Sequence, residues 1–142
     1  MIAADSGYLY ALIDRSDVWH ARATAAFRRL ADEEIVTTWP VLTETCYLVL
    51  NRVGSHFAIE LMADAADGGI SIWNPGFEAL GRVPALMRKY AALPMDLADA
   101  SLVLLAEHLG HGRILTTDVR DFGFYRWMDR KPFKNVLEEM DP

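Results

Sequence analysis

The segment LTTDVRDFGFY, from Leu115 to Tyr125, places hydroxyl and carboxylate side chains directly after an apolar stretch. The residues RILTTD, from Arg113 to Asp118, predict a buried strand, and Asp121 follows three positions later. A strand end needs only a turn, and Asp118 with Asp121 would form an Asx turn. In open parallel sheets, however, ligands bind at the carboxyl ends of strands. The segment therefore indicates either a turn or one wall of a functional site.

On either side of this segment, the apolar residues alternate between the period of strands and the period of helices. Strands are predicted at Met1–Ala4, Glu34–Trp39, Ile70–Trp73, Arg113–Asp118 and Phe133–Leu137. Helices are predicted at Ser6–Ile13, Val18–Ala31 with Asp17 as its cap, Pro40–Arg52, Phe57–Ala66, Phe77–Ala91 and Leu97–Leu109. Alternating strands and helices predict an α/β fold whose mostly parallel sheet is covered on both faces.

The length and composition predict one domain over residues 1–142. The chain has 142 residues, 52% of them hydrophobic, with a mean hydropathy of +0.09, and it contains no repeat or linker. No apolar run approaches the roughly 20 residues that cross a bilayer. The N-terminus has no basic region typical of a signal peptide. Cys46 is the only cysteine, so no internal disulfide forms and a cytoplasmic location is expected.

The net charge of −6, from 14 basic and 20 acidic residues, argues against a protein that binds nucleic acid by bulk charge alone. A local basic patch stays possible, because six of the 14 basic residues fall in one segment near the C-terminus. They are Arg113, Arg120, Arg126, Arg130, Lys131 and Lys134. A solvated charged surface is the simpler interpretation of each one taken alone.

Several acids occupy strand ends or apolar helices. Asp5 ends the first predicted strand, as Asp118 ends the fourth. Glu44 lies in WPVLTETCYLVLNRV, and Asp99 lies in PMDLADASLVLLAEHLG. A carboxylate beside so much apolar surface is costly unless it is paired or binds a cation. No Lys or Arg lies within four residues of Asp99, so no local helical ion pair accounts for it.

Each acid also has a purely structural interpretation. Asp5 would cap the helix that follows it, and Glu44 would interact with the dipole in the first turn of its helix. Asp96 and Asp99 have the spacing of a capping box, so Asp96 is interpreted as a cap. Function is favoured because several such acids are expected to converge in one fold. Oxygen ligands suit Mg²⁺ or Mn²⁺, and carboxylates around such a metal are typical of phosphodiester chemistry.

Four motifs in order resemble the PIN-domain family, and more narrowly the VapC-type toxins of bacterial toxin–antitoxin pairs. They are Asp5-Ser6 after a short strand, Glu44 after Thr43, MDLADASLVLLAEHLG, and ILTTDVRDFGFYR. The resemblance implies a three-layer α/β/α sandwich and a Mg²⁺- or Mn²⁺-dependent endoribonuclease. It also implies metal-binding positions at Asp5, Glu44, Asp99, Asp118 and Asp121, of which all but Asp118 are assigned to catalysis.

The resemblance further implies that the hydroxyls of Ser6 and Thr116 support the site. Other implied partners are RNA, a VapB-type antitoxin and a second copy of the chain, with no membrane. From their proximity to the last motif, three arginines are expected to hold RNA phosphates: Arg120, Arg126 and Arg130. Three aromatic residues are expected to anchor the final turn to the core: Phe122, Phe124 and Tyr125.

Two other classes of protein place acids at parallel strand ends. An aspartyl-phosphate phosphatase needs a second Asp two residues after the nucleophile, but Gly7 stands there, and a receiver domain needs an Asp where Asn74 follows the third strand. The remaining alternative is a non-catalytic PIN-like binding module that acts through a protein partner.

Overall fold

The computed structural model describes residues 1–141, and its centre is a five-stranded sheet in which every neighbouring pair is parallel. The strands are β1 (Ile2–Ala4), β2 (Ile35–Thr38), β3 (Ser71–Trp73), β4 (Arg113–Leu115), β5 (Arg126–Trp127), β6 (Lys131–Pro132) and β7 (Lys134–Asn135). The order in the sheet is β3-β2-β1-β4-β7, while β5 and β6 form a separate antiparallel hairpin. The predicted parallel sheet is therefore confirmed.

The strand order reverses between β1 and β4. The chain first builds outward from β1 through β2 to β3, and then returns to place β4 on the other side of β1. Ala4 pairs with Leu115 in this register. The residues that follow them, Asp5 and Thr116, consequently leave the sheet side by side at its switch point, where parallel sheets bind ligands.

Within residues 1–141, seven α-helices connect the strands and cover the sheet. They are α1 (Ser6–Ile13), α2 (His20–Arg29), α3 (Trp39–Arg52), α4 (Ser55–Ala66), α5 (Val83–Lys89), α6 (Leu97–Leu109) and α7 (Val119–Phe124). Side-chain caps fix several starts: Asp5 caps α1, Thr38 caps α3 and Asp96 caps α6. Such caps satisfy backbone N–H groups that have no partner inside the helix. Among residues 1–141, no helix is both long and apolar enough to span a bilayer.

In the described part of the chain, residues 1–141, two hydrophobic clusters hold the layers together. The larger one includes the fully buried Ile2, Leu105 and Ile114 and therefore joins the central strands to α6. Packing of this kind removes apolar surface from water at about 25 cal/mol per Å². The smaller cluster packs α1, α3 and α4 together through Tyr10, Leu42, Val49, Ala58 and Leu61.

Two predicted helices differ from those observed. The helix predicted at Val18–Ala31 begins at His20, and Asp17 does not cap it as expected. Instead Asp17 accepts the backbone N–H of Trp19 at 2.8 Å, in the turn before the helix. The segment predicted as one helix from Phe77 to Ala91 divides into a 3-10 helix, Phe77–Arg82, and α5. Pro84 explains the division because it lacks an N–H and is tolerated only in a first turn.

The C-terminal part departs furthest from the prediction. Helix α7 and the hairpin of β5 and β6 were not predicted, and the last strand is shorter than expected because a 3-10 helix, Val136–Glu139, replaces its end. The expected anchoring role of Phe124 is wrong, since its side chain is 61% exposed. Phe122 and Tyr125 are buried as expected and pack edge to face with ring centroids 5.1 Å apart.

Candidate metal centre

Asp5 is a buried carboxylate held from both sides at the carboxyl end of β1, and it is only 6% exposed. Its Oδ1 accepts the backbone N–H of Ser6 at 2.7 Å, which makes it the cap of α1. Its Oδ2 accepts the hydroxyl of Thr116 at 2.8 Å. The backbone N–H of Asp5 donates to Leu115 O at 3.0 Å. Asp5 is thus the helix cap that its sequence position allows and also a carboxylate fixed at the switch point.

Glu44 approaches the same place from α3. The hydroxyl of Ser6 donates to Glu44 Oε2 at 2.9 Å and lies 3.4 Å from Asp5 Oδ1, so Ser6 links the two acids. The interpretation of Glu44 as a first-turn dipole partner is wrong, because α3 begins at Trp39 and its first turn contains no acid. A long-range contact, rather than the helix dipole, fixes its position.

Asp99 belongs to a capping box at the start of α6. Asp96 Oδ1 accepts the N–H of Asp99 at 2.8 Å, and Asp99 Oδ2 accepts the N–H of Asp96 at 3.4 Å. The interpretation of Asp96 as a cap agrees with this geometry. Asp99 Oδ2 also accepts the hydroxyl of Tyr125 at 3.1 Å. The side chain is therefore fixed on one edge by its own helix and by the segment that follows α7.

Asp118 and Asp121 lie at the start of α7, at the edge of the acidic cluster. Asp118 Oδ1 accepts the N–H of Asp121 at 3.1 Å and caps α7. The N–H of Asp118 donates to Thr116 Oγ1 at 3.0 Å, and this is the hydroxyl that donates to Asp5. The segment from Leu115 to Tyr125 therefore forms a turn, and the same turn is linked to Asp5 through Thr116.

Burial and mutual repulsion raise the pKa of three of these acids. Burial raises the pKa of Asp5 from 3.8 to about 6; the charges of Glu44 and Asp118 add to the rise, and the hydrogen bonds from Thr116 and Ser6 oppose it. Burial likewise raises the pKa of Asp99 to about 7, and the charges of Asp96 and Asp5 add to it. The pKa of Asp118 is also raised, chiefly by burial. The acids whose charges are close enough to interact are Asp5, Glu44, Asp96, Asp99 and Asp118.

The five predicted acids have almost no basic partners. Among residues 1–141, the one ion pair in this set joins Asp121 to Arg120, at 3.0 Å. In the same part of the chain, no three His, Cys, Asp or Glu side chains are close enough together to hold a metal ion as they stand. The donor chemistry nevertheless fits Mg²⁺ or Mn²⁺, since all donors are oxygens and a cation would offset the repulsion. Binding would require the side chains to close on the ion.

The three arginines expected to hold RNA differ in their surroundings. Arg120 is exposed and pairs with Asp121. The guanidinium of Arg126 donates to the carbonyls of Gly123, Phe124 and Tyr125 at 2.9, 3.1 and 2.9 Å, so it closes the C-terminal end of α7. Arg130 is exposed in the hairpin turn.

Two residues near the site were missed as functional candidates. Tyr125 was interpreted only as an anchor, although its hydroxyl contacts Asp99. Asn135 was not considered: its Nδ2 donates to Thr116 O at 3.0 Å, and its Oδ1 accepts the N–H of Thr116 at 3.3 Å. Neither contact follows from local spacing, because the partners are 26 and 19 residues apart.

Comparison of the sequence with known proteins identifies a family for this chain. The chain is 30% identical over 122 residues to Ribonuclease VapC26 of Mycobacterium tuberculosis, covering 86% of this chain and 90% of the relative. The chain belongs to the VapC-type toxin ribonucleases of the PIN-domain family. This confirms the family that the four sequence motifs indicated.

A solved VapC-type structure shares the fold. It is the crystal structure of Mycobacterium tuberculosis VapC20, described as a sarcin-ricin loop cleaving toxin, with a TM-score of 0.73 over 84% of this chain and 92% of that one. At 18% identity this likeness concerns the fold, and it confirms the predicted PIN-like α/β/α class. No family model matches the chain.

Proposed function

We propose that the acids around Asp5 and Asp99 form the active site of an endoribonuclease that requires Mg²⁺ or Mn²⁺. As a VapC-type ribonuclease, the protein is an RNA-cleaving hydrolase and a toxin endoribonuclease. The observation that carries the site assignment is Asp5, a buried carboxylate at the switch point of a parallel sheet. It is surrounded by further acids, and none of the ion pairs among residues 1–141 reaches it.

The proposed roles are those that the family resemblance implies, and the buried positions of Asp5 and Asp99 support them. Asp5, Asp99 and Asp121 would hold the metal, directly or through water, and Glu44 and Asp118 would complete its surroundings. When bound, such a metal supplies a water of lowered pKa and stabilises charge on the phosphorane and the leaving oxygen. The family depends on metals in general, which supports a cation here.

The protein's own groups prepare this site. The Ser6 N–H and the Thr116 hydroxyl hold the two oxygens of Asp5, so that carboxylate keeps one orientation. The hydrogen bond from Ser6 occupies Glu44 Oε2, and within residues 1–141 no hydrogen bond reaches its Oε1. Oε1 is therefore the atom we assign to accept a proton from the attacking water, or to orient that water.

Membership of a toxin family implies an RNA substrate and an antitoxin partner. We propose that the antitoxin is of the VapB type and that the protein forms a homodimer. We also propose that each chain is a single domain and acts in the cytoplasm. Exposed apolar side chains along α3, namely Trp39, Tyr47 and Leu50, support a protein interface on that helix. Arg130, exposed and outside the ion pairs of residues 1–141, is the best-placed of the three arginines for RNA phosphate. Nothing supports the alternative of a non-catalytic binding module.

Cleavage of end-labelled RNA by the purified protein, free of antitoxin, tests the assignment. Reactions contain Mg²⁺, Mn²⁺ or EDTA, and compare the natural sequence with Asp5→Asn, Asp99→Asn and the control Asp32→Asn, which changes an exposed acid away from the cluster. We expect discrete metal-dependent fragments that both site variants lose and the control keeps. Cleavage that survives both site substitutions would reject these residues as the active site.

A further inference from the structure

Tyr125 makes a contact that core packing does not require. The residue is fully buried after α7, and its hydroxyl donates to Asp99 Oδ2 at 3.1 Å. Because the side chain has no exposed surface, it cannot touch RNA. Any contribution to the reaction must therefore pass through Asp99.

The two hydrogen bonds to the Asp99 carboxylate arrive at the same atom. Oδ2 accepts the Tyr125 hydroxyl and, at 3.4 Å, the N–H of Asp96. Within residues 1–141 no hydrogen bond reaches Oδ1. Two donors on one oxygen fix the rotation of the carboxylate and leave the other oxygen available.

The ring of Tyr125 is itself held rigidly. It packs edge to face against Tyr90 and Phe122, with centroids 5.0 and 5.1 Å away. The hydroxyl of Tyr125 therefore approaches Asp99 from a fixed direction.

We infer that Tyr125 is a positioning residue: by holding Oδ2 of Asp99, it fixes the carboxylate and leaves Oδ1 available to the metal that would bind here. The inference rests on the proposed metal site and extends it to a residue that contacts neither metal nor RNA. Groups that hold metal ligands in place typically contribute about 10- to 100-fold to metal affinity or activity.

The test compares Tyr125→Phe with Tyr90→Phe. Each substitution removes one hydroxyl from the same aromatic cluster, but only the first removes a contact to Asp99. Mn²⁺ binding is measured by calorimetry, unfolding is measured in EDTA, and kcat and KM are measured on a short RNA. We expect Tyr125→Phe to bind Mn²⁺ about 10-fold more weakly, with a lower kcat, an unchanged KM for RNA, and a rate that rises again at high Mn²⁺. Tyr90→Phe should keep the Mn²⁺ affinity of the natural sequence.

Asp99→Asn separates the inference from the proposed function. If Asp99→Asn loses Mn²⁺ binding while Tyr125→Phe keeps it, the metal site stands and the role of Tyr125 is overturned. Equal losses of Mn²⁺ affinity in Tyr90→Phe and Tyr125→Phe would also overturn it, because the effect would then come from the cluster as a whole. If Asp99→Asn and the natural sequence bind Mn²⁺ equally, the proposed metal site itself is rejected.

Discussion

The hydroxyl of Thr116 donates a 2.8 Å hydrogen bond to Asp5 Oδ2 and accepts the N–H of Asp118 at 3.0 Å. One buried side chain thus connects the carboxyl ends of β1 and β4 to the cap of α7. The contact also limits the rise in the pKa of Asp5, because it favours the charged carboxylate.

Thr116→Val should remove this connection while keeping the volume of the side chain. We expect the free energy of unfolding to fall by about 1–3 kcal/mol, because a buried carboxylate and a backbone N–H each lose a partner. The pKa of Asp5 in the metal-free protein should rise above about 6, so protons compete better with the metal and the acid limb of the cleavage profile should move to higher pH. Urea unfolding in EDTA and a kcat profile against pH check both effects.

Thr45→Val is the matched control. Thr45 is also fully buried, but its hydroxyl donates to the backbone carbonyl of Val41 at 2.8 Å and not to an acid. It should lower stability without moving the pH profile. An identical pH profile for Thr116→Val and Thr45→Val would contradict the coupling of Thr116 to Asp5.

The raised pKa of Asp99 predicts that Asp99→Asn stabilises the metal-free protein at high pH. A carboxyl whose pKa rises from 3.8 to about 7 on folding contributes stability that is fully present below pH 3.8 and is lost as the pH passes through about 7. At pH 8 the charged carboxylate opposes folding, whereas an amide does not. We expect a gain of about 1–3 kcal/mol at pH 8, after allowance for solvent screening, that shrinks towards pH 5.

Urea unfolding in EDTA at several pH values measures this difference. The amide oxygen can still accept the hydrogen bonds of Asp96 and Tyr125, so capping is retained. A difference in stability that does not change between pH 5 and pH 8 would mean that burial does not perturb Asp99 in the folded chain.

Gly7→Ala should disturb the site through simple steric overlap. A Cβ at position 7 would lie 2.0 Å from Thr117 Oγ1 and 3.2 Å from Thr117 Cβ, so the Thr117 side chain must rotate and the segment after β4 must shift slightly. We expect a loss of about 1–3 kcal/mol in stability and reduced cleavage, because Thr116 moves with its neighbour. Adding Thr117→Ala to Gly7→Ala should recover part of the lost stability and part of the lost cleavage activity. Purely additive effects of the two substitutions would exclude this contact as the cause.

The sequence predicted the parts of the molecule that local chemistry controls. Asp5 and Asp96 stand before apolar helical segments, so their capping roles are readable from neighbouring residues. The approach of Asp5 to Thr116 follows from parallel pairing of their strands, an assumption that the register of Ala4 with Leu115 confirms. The family motifs then indicated which of the acids to group in one candidate site.

The remaining features of the fold and of the candidate site depend on contacts that no local sequence pattern encodes. Helix α7 has six residues, too few for a clear helical period, and it turns Phe124 outward while Phe122 is buried. Glu44 owes its position to Ser6, which is 38 residues away. The roles of Tyr125 and Asn135 could not be predicted for the same reason, because each depends on how distant segments fold back onto the site.

Asn135 extends the hydrogen bonding between β7 and β4 by one residue, to Thr116. It does so with its side-chain amide, where a strand would use its backbone. Its amide binds both the N–H and the carbonyl of Thr116, and its Oδ1 also accepts the N–H of Leu137 at 3.2 Å. Asn135→Ala should therefore lower stability by about 1–3 kcal/mol and reduce cleavage by loosening Thr116. Asn51→Ala is the control, since Asn51 is exposed and binds only the carbonyl of Tyr47 on its own helix. Unfolding and kcat are measured for both, and equal small effects would contradict the role of Asn135.

Arg126 and Arg130 should respond differently to loss of charge. Nη1 of Arg126 lies within hydrogen-bond distance of three carbonyls at the end of α7, beside Tyr125, so Arg126→Met should lower stability by about 1–2 kcal/mol and weaken Mn²⁺ binding. Arg130 is exposed, so Arg130→Met should leave stability within about 0.5 kcal/mol. Its effect should instead be a higher KM for RNA and a weaker dependence of kcat/KM on salt, because one phosphate contact is lost.

Unfolding in EDTA, Mn²⁺ calorimetry and kinetics at 50 and about 200 mM salt separate the two arginines. A raised KM with unchanged stability for Arg126→Met would instead return that residue to the RNA-binding surface.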